Sequence, residues 1–353
     1  MSGRAGPLPP IPLTVVTGFL GAGKTTLLNR VLRDPALADA LVIVNEFGEI
    51  GLDHLLIETA RDGIVLMAAG CLCCTIRQDL VSTLEDLLRR RDNGRMAPFS
   101  RVIVETTGLA DPAPILQTTL QHPYLGLRYR LEGVVTVVDA VNGAATIEAH
   151  REALKQVAVA DRIVLSKAAL AGPERVARLR ARLAALNPLA PVIDADGEID
   201  ARALIDCGLY DPASKLPDVA RWLGEEAHHH DHHHHGHHHA GAAAHDHDVN
   251  RHDADIRAFH FRSGTPVSQA GLTRFLAAMR TVPGPQLLRL KGIIAMRDMP
   301  EQPVVVHGVQ HVMQPPFRLA HWPDANHDTR LVCITQGLDA QFVNRLWSSF
   351  APA

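Results

Sequence analysis

The sequence predicts an α/β domain with a mostly parallel sheet, followed by a smaller α+β domain. Three observations predict it. A glycine-rich segment, Gly18-Phe19-Leu20-Gly21-Ala22-Gly23-Lys24-Thr25, sits between a β-branched run and a helical pattern. Short apolar runs alternate with amphipathic stretches through the first 200 residues. Composition then changes abruptly at Ala227.

Each element has its own justification. Leu13–Thr17, Leu41–Val44, Ile64–Met67, Arg101–Glu105, Val134–Asp139 and Arg162–Ser166 are mostly apolar, as strands buried on both faces of a parallel sheet must be. Ile76–Arg89 places Ile76, Leu80, Leu84, Leu87 and Leu88 on one helical face. Pro173–Leu186 reads as a helix with proline in its first turn and Asn187-Pro188 ending it. Strand and helix in alternation make a parallel sheet covered by helices. From His228 to His252 there are 13 of the chain's 21 histidines, mixed with Asp, Gly and Ala, and nothing from which to build a core. Patterning resumes with a strand at Ile256–Phe261 and a helix at Ser268–Arg280. Strands at Gly292–Met296, Val304–His307 and Leu331–Thr335 and a helix at Asp339–Trp347 complete it. The expected division is a nucleotide domain over 1–226, a disordered His-rich linker over 227–254 and a C-terminal α+β domain over 255–353.

With 353 residues, 46% hydrophobic and 21% charged, the chain has the composition of a globular protein. A net charge of -3 gives no electrostatic reason to expect nucleic acid or an anionic membrane as a partner. No apolar run reaches the roughly 18 residues of a membrane span, and the N-terminal residues have no signal-peptide core, so the cytoplasm is the expected location. Nothing in the sequence fixes the oligomeric state.

The Gly18–Thr25 segment is a phosphate-binding loop, and each residue type in it has a task. Gly18, Gly21 and Gly23, with the small Ala22, let the backbone turn its N–H groups onto phosphate oxygens. The helix beginning near Thr25 and Thr26 adds its positive end. Lys24 brings a charge to the β and γ phosphates, and the Thr25 hydroxyl is a ligand for Mg²⁺. A magnesium-side carboxylate should end a strand of the same sheet, and Glu105 fits. Thr106-Thr107-Gly108 after it supplies hydroxyls and a turn near a γ-phosphate. The expected activity is hydrolysis of a nucleoside triphosphate, with Lys24, Thr25 and Glu105 as its catalytic groups.

Five cysteines is an odd number, and Cys71, Cys73 and Cys74 crowd into four positions. A disulfide scaffold spreads its thiols, whereas this cluster points to metal or redox chemistry. Thiolates one residue apart can hold one Zn²⁺ or Co²⁺, but would form a strained disulfide. An incomplete ligand set suits an ion that is passed on. The histidine tract can concentrate Zn²⁺, Ni²⁺ or Co²⁺ through neutral imidazoles. Cys207 and Cys333, like His307, His311, His321 and His327, read as structural.

With these pieces placed, the sequence resembles the CobW-type P-loop GTPases, a family that includes cobalt and zinc metallochaperones. The segments that carry the resemblance are Gly18–Thr26, Asn45-Glu46-Phe47-Gly48-Glu49, Gly70-Cys71-Leu72-Cys73-Cys74-Thr75 and Glu105-Thr106-Thr107-Gly108-Leu109-Ala110-Asp111-Pro112. The His-rich linker and a last domain containing Leu290-Lys291-Gly292 match as well. The resemblance implies GTP hydrolysis coupled to delivery of a metal, zinc first and cobalt next, to a client metalloprotein. It further implies that Cys71, Cys73 and Glu46 meet the ion in the nucleotide-bound state, Glu46 lying on a switch segment. The guanine-reading segment of the family, Asn-Lys-x-Asp, falls at Ser166-Lys167-Ala168-Ala169. Ser166 keeps a hydrogen-bonding group, and Lys167 keeps the aliphatic stem that covers the base. Ala169 stands where an aspartate accepts from guanine, a loss of roughly 1.5–3 kcal/mol, so ATP stays open as the substrate. A metal buffer with a weak nucleotide site and a P-loop ATPase or kinase with structural zinc are the alternative readings.

Overall fold

The computed structural model describes residues 9–45, 64–67, 73–207, 256–283, 286–310 and 312–350. The chain forms two compact units, residues 1–209 with 309–312 and residues 210–308 with 313–353. The histidine tract lies outside the described residues, as do Glu46, Cys71 and His311.

In the first unit the strands are β1 (Ile11–Thr17), β2 (Ala40–Asn45), β3 (Ile64–Met67), β4 (Arg101–Glu105), β5 (Tyr129–Asp139), β6 (Arg162–Ser166) and β7 (Val192–Asp194). They form one sheet in the order β3-β2-β4-β1-β5-β6-β7. Every pairing in it is parallel. The helices are α1 (Lys24–Val31), α2 (Cys73–Asp92), α3 (Ala113–Gln121), α4 (Leu125–Arg128), α5 (Gly143–Ala149), α6 (Arg151–Val159), α7 (Ala168–Ala171), α8 (Pro173–Leu186) and α9 (Ala201–Ile205). The unit is thus the α/β P-loop architecture that the sequence predicts.

The period of two along a strand divides the core. Val16, Val42, Val44, Ile103, Val135, Val137 and Val164 face one side, where Leu27, Leu28 and Val31 of α1 and Leu204 and Ile205 of α9 cover them. The alternate residues Val15, Ile43, Val102 and Val104 are buried as well. Both faces are therefore dry, which is why the strands read as unbroken apolar runs. The helical stripe Leu80, Leu84, Leu87 and Leu88 of α2 is buried throughout.

The second sheet, which belongs to the second unit apart from Val309 and Val312, carries β8 (Ile256–Ser263), β9 (Leu287–Ile294), β10 (Val304–Val309), β11 (Val312–Met313), β12 (Phe317–Arg318) and β13 (Thr329–Gln336). Their order is β11-β10-β9-β13-β8, with β12 on β10. Pairing is antiparallel where β13 meets β8 and β9 and where β10 meets β12. Helices α10 (Gln269–Thr281) and α11 (Ala340–Phe350) close the core, with Phe275 edge-on to Trp347 at 5.0 Å. Cys333 lies in this core, where burial pushes its thiol up to about 12. Cys207 is also buried.

β9 departs from expectation. The sequence places a strand at Gly292–Met296, whereas the structure starts it at Leu287 and ends it at Ile294. Arg289 and Lys291 interrupt the apolar pattern, yet both are buried. β7 was not expected at all. It has three residues at the sheet edge, half-covered rather than buried, so it lacks the apolar run that reveals the others.

Candidate nucleotide site and metal-binding segment

Parallel strands bring all their C-terminal ends to one rim of the sheet, and the candidate residues gather there. β1 ends at Thr17, and the chain turns through Gly18–Gly23 into α1. Gly18 takes φ +142°, and a Cβ there would lie 2.3 Å from the Val137 carbonyl oxygen, so the turn admits no side chain. Gly21 and Gly23 also have positive φ, and Gly23 caps α1. Thr26 follows in the first turn of that helix. Lys24 is folded back into the loop, its Nζ donating to the Gly18 carbonyl at 2.9 Å.

Thr25 and Glu105, which are 80 residues apart, meet. The Thr25 hydroxyl donates to Glu105 Oε1 at 2.9 Å. β1 and β4 are neighbours in register, with Val16 opposite Glu105, so the carboxylate stands beside the start of the phosphate loop. Thr106 continues the contact: its N–H donates to the Val16 carbonyl and its hydroxyl to Thr17 Oγ1 at 2.8 Å. Gly108 then passes so close to the phosphate loop that a Cβ would lie 2.5 Å from the Leu20 nitrogen. The turn is held by Gln156, whose buried amide donates to the carbonyls of Gly108 and Ala110 at 3.1 and 3.0 Å.

On the other flank, β6 delivers Ser166 and Lys167. The Ser166 hydroxyl donates to the Ala22 carbonyl at 2.6 Å. Lys167 Nζ donates to the Gly21 carbonyl and to Asp139 Oδ2, both at 2.8 Å. Both side chains thus tie β6 to the phosphate loop. Lys167 has φ +58°, a left-handed conformation that costs a non-glycine residue about 1 kcal/mol. Such strain is characteristic of sites whose surroundings over-determine the backbone. Burial alone would raise the Asp139 carboxyl, but the Lys167 ammonium and the N–H groups of Val141 and Asn142 outweigh it and hold it below the usual carboxylate range. A cavity of about 150 Å³ opens beside the loop, with Phe19, Leu20, Ala22, Asp139, Asn142 and Lys167 in its wall.

The candidate metal-binding segment is described only at its approaches. Cys73 and Cys74 open α2, and their side chains, with Cys71 and Glu46, lie outside the described residues. Among the described residues no group of three or more His, Cys, Asp or Glu is placed to hold an ion. The approaches are nonetheless informative. The chain leaves β2 at Asn45 toward Glu46 and leaves β3 at Met67 toward Cys71. Asn45 and Met67 are register partners, and Val44, one residue before Asn45, is the partner of Glu105. β3, β2 and β4 therefore end side by side, neighbouring strands about 4.8 Å apart, with Glu105 the last residue of β4.

Sequence reasoning did not single out Asp139, Gln156 or Arg30. Asp139 ends an apolar strand just as Glu105 does, and that signal was available. Gln156 lies inside a helix and carries no local signal. Arg30, on α1, donates to the carbonyls of Ala195 and Gly197 after β7, a contact between residues about 165 apart. No described helix is long and apolar enough to cross a membrane.

Residues 12–194 match the model of the CobW/HypB/UreG nucleotide-binding domain, and residues 256–351 match the cobalamin synthesis protein CobW C-terminal domain. The zinc chaperone CobW of Pseudomonas aeruginosa is 32% identical over 376 aligned positions, covering 97% of this chain and 92% of that protein. The zinc chaperone YjiA of Escherichia coli is 42% identical over 198 residues, covering 56% of this chain and 61% of YjiA. The crystal structure of Zn(II)-bound YjiA GTPase from Escherichia coli superposes with a TM-score of 0.68 at 28% identity, covering 97% of this chain and 99% of that one. With a phosphate loop, a carboxylate on the neighbouring strand and both domain models matched in order, the chain belongs to the CobW family of the CobW/HypB/UreG nucleotide-binding proteins.

Proposed function

We propose that this protein is a GTP-hydrolysing metallochaperone that carries zinc on its Cys71-Leu72-Cys73-Cys74 segment and yields it to a client metalloprotein under nucleotide control. The observation that carries the hydrolase half is the 2.9 Å contact of the Thr25 hydroxyl with the Glu105 carboxylate at the mouth of the phosphate loop. Two hard oxygen donors so placed fit Mg²⁺, and Thr25 and Glu105 are the residues that would hold it. Bound there, Mg²⁺ supplies charge neutralisation to the β and γ phosphates. Lys24 exchanges its hold on the Gly18 carbonyl for the phosphates, and the backbone N–H groups of Gly21 and Gly23 complete the cradle, while the Ala22 N–H holds the turn through the Phe19 carbonyl at 3.1 Å. Gln156, by fixing the Gly108 turn, keeps the Thr106-Thr107 segment at the γ-phosphate end. Water attacks phosphorus there, and the bond to the β-phosphate oxygen breaks, leaving a nucleoside diphosphate and phosphate.

The metal half rests on the relatives' names, on three thiols of which two begin a helix, and on the strand register. A helix start lowers thiol pKa and favours the ligating thiolate. Glu46 follows β2, between the strand ending in Glu105 and the strand leading to Cys71. A segment ordered by nucleotide can thus bring its carboxylate to the thiols and withdraw it after hydrolysis. If nucleotide tightens metal binding, metal tightens nucleotide by the same factor. Titrating Zn²⁺, with Co²⁺ as comparator, with and without a Mg²⁺-bound non-hydrolysable GTP analogue tests this. Tighter zinc binding is expected with the analogue, and equal affinities would eliminate the coupling.

A further inference from the structure

The base-reading turn lacks its aspartate, and the structure places another carboxylate against it. Ala169 occupies the position that would carry the missing group. Its backbone N–H donates to Asp196 Oδ2 at 2.6 Å. Asp196 lies in the loop two residues beyond β7, the strand next to β6. Its loop is fastened from both sides: Ala195 N–H donates to the Leu165 carbonyl at 2.7 Å, and Arg30 donates to the carbonyls of Ala195 and Gly197. The carboxylate is therefore preorganised although Asp196 and Ala169 are both exposed.

The direction of the nucleotide along the rim decides what this carboxylate can meet. Thr25 at the start of α1 and Glu105 at the end of β4 take the magnesium side. The nucleoside must then extend the opposite way from the phosphate loop, across β5 toward β6 and β7. That span is two to three strand spacings, roughly 10–14 Å, which suits the distance from phosphate to base. Lys167 lies along this path with its Nζ on the Gly21 carbonyl, and the turn that follows it leads to Ala169. A carboxylate offers about four acceptor sites, and the Ala169 N–H uses one. Guanine presents two adjacent donors, N1–H and the 2-amino group. Adenine presents an acceptor at N1 and no amino group at C2.

We infer that Asp196 is the specificity-determining residue of the nucleotide site, accepting from N1–H and the 2-amino group of guanine in place of the aspartate absent at position 169. The inference rests on the nucleotide-hydrolase reading above and deepens it by naming the base. The acceptor has moved from the β6 turn to the β7 loop while staying at the same spot on the rim.

Exchanging the acceptor tests the inference in the full-length protein. Equilibrium binding of GDP, xanthosine diphosphate and ADP is measured for wild type, Asp196→Asn and the double variant Ala169→Asp/Asp196→Ala. Xanthine carries a carbonyl where guanine has its amino group, and an asparagine amide donates to it. In Asp196→Asn, GDP should weaken by about ten- to a hundredfold, the range expected for a lost charged hydrogen bond. Xanthosine diphosphate should tighten, and ADP should not change. The double variant, with the carboxylate returned to the β6 turn, should regain preference for GDP over ADP. Unchanged GDP affinity in Asp196→Asn overturns the inference, as does a parallel fall for all three nucleotides. Wild type binding GDP and ADP equally overturns it while leaving the hydrolase reading intact. Binding of no nucleotide overturns both.

Discussion

At the scale of single residues, the site is built from polar groups that touch across long sequence separations. Asp139 is the most consequential of those that sequence reasoning passed over. Its folded pKa lies below its unfolded value because the Lys167 ammonium and two backbone N–H groups outweigh the desolvation of the carboxylate. The sign follows from linkage: the group contributes stability above its unfolded pKa of about 3.9 and loses it as pH falls through the lower folded value. Asp139→Asn should therefore lower the denaturant midpoint of the first unit at pH 6, and the gap to wild type should narrow progressively as pH falls below about 4. A gap that persists at low pH would show that the ion pair is not its source. The Thr25–Glu105 pair was legible because each half announces itself, one by the phosphate-loop pattern and one by ending an apolar strand. Gln156 was not, since a lone glutamine in a helix has no pattern that distinguishes it from a solvated one.

At the scale of elements, legibility tracked burial on both faces. β3, β4, β6 and α8 begin and end where the sequence places them, because apolar runs with clear breakers bound them. β9 slipped because an alkyl stem can be buried while its charge finds a partner, so a fully covered Arg289 counts as polar in any hydropathy pattern. The end of α8 shows how an element boundary is enforced. Asn187 is completely buried, and its amide donates to the carbonyls of Val157 and Ala160 at 2.8 and 3.0 Å, at the end of α6. Its Oδ1 accepts from the Leu189 N–H at 3.1 Å. Asn187→Ala strands these groups and should destabilise the first unit by about 2–3 kcal/mol, read from urea unfolding. A loss below 0.5 kcal/mol, roughly that of a surface change, would mean that water replaces the amide without penalty.

For the whole molecule, the sheet order sets the sequence of chemistry along one rim. It runs from the ends of β3 and β2 through Glu105, the phosphate loop and Lys167 to Asp196 after β7. Which strand borders which cannot be read from chain order alone, and the neighbours β2-β4-β1-β5 come from four separate stretches of sequence. That is why the candidate residues could be named from sequence while their adjacency could not. The histidine tract belongs to neither compact core in composition, so its removal separates a chaperone from a buffer. Deleting residues 228–252 should leave GDP affinity within about twofold, or 0.4 kcal/mol, and keep one tight zinc site while lowering total zinc capacity. Loss of the tight site would favour the buffer instead.

Because all seven strands run the same way, they begin at the edge of the sheet opposite the rim that carries the phosphate loop. Ser100 is exposed there, just before β4, with its N–H on the Asp39 carbonyl. A dye or a surface tether attached at that position approaches the protein from behind. Nucleotide binding at the opposite rim should then proceed as in the unlabelled protein.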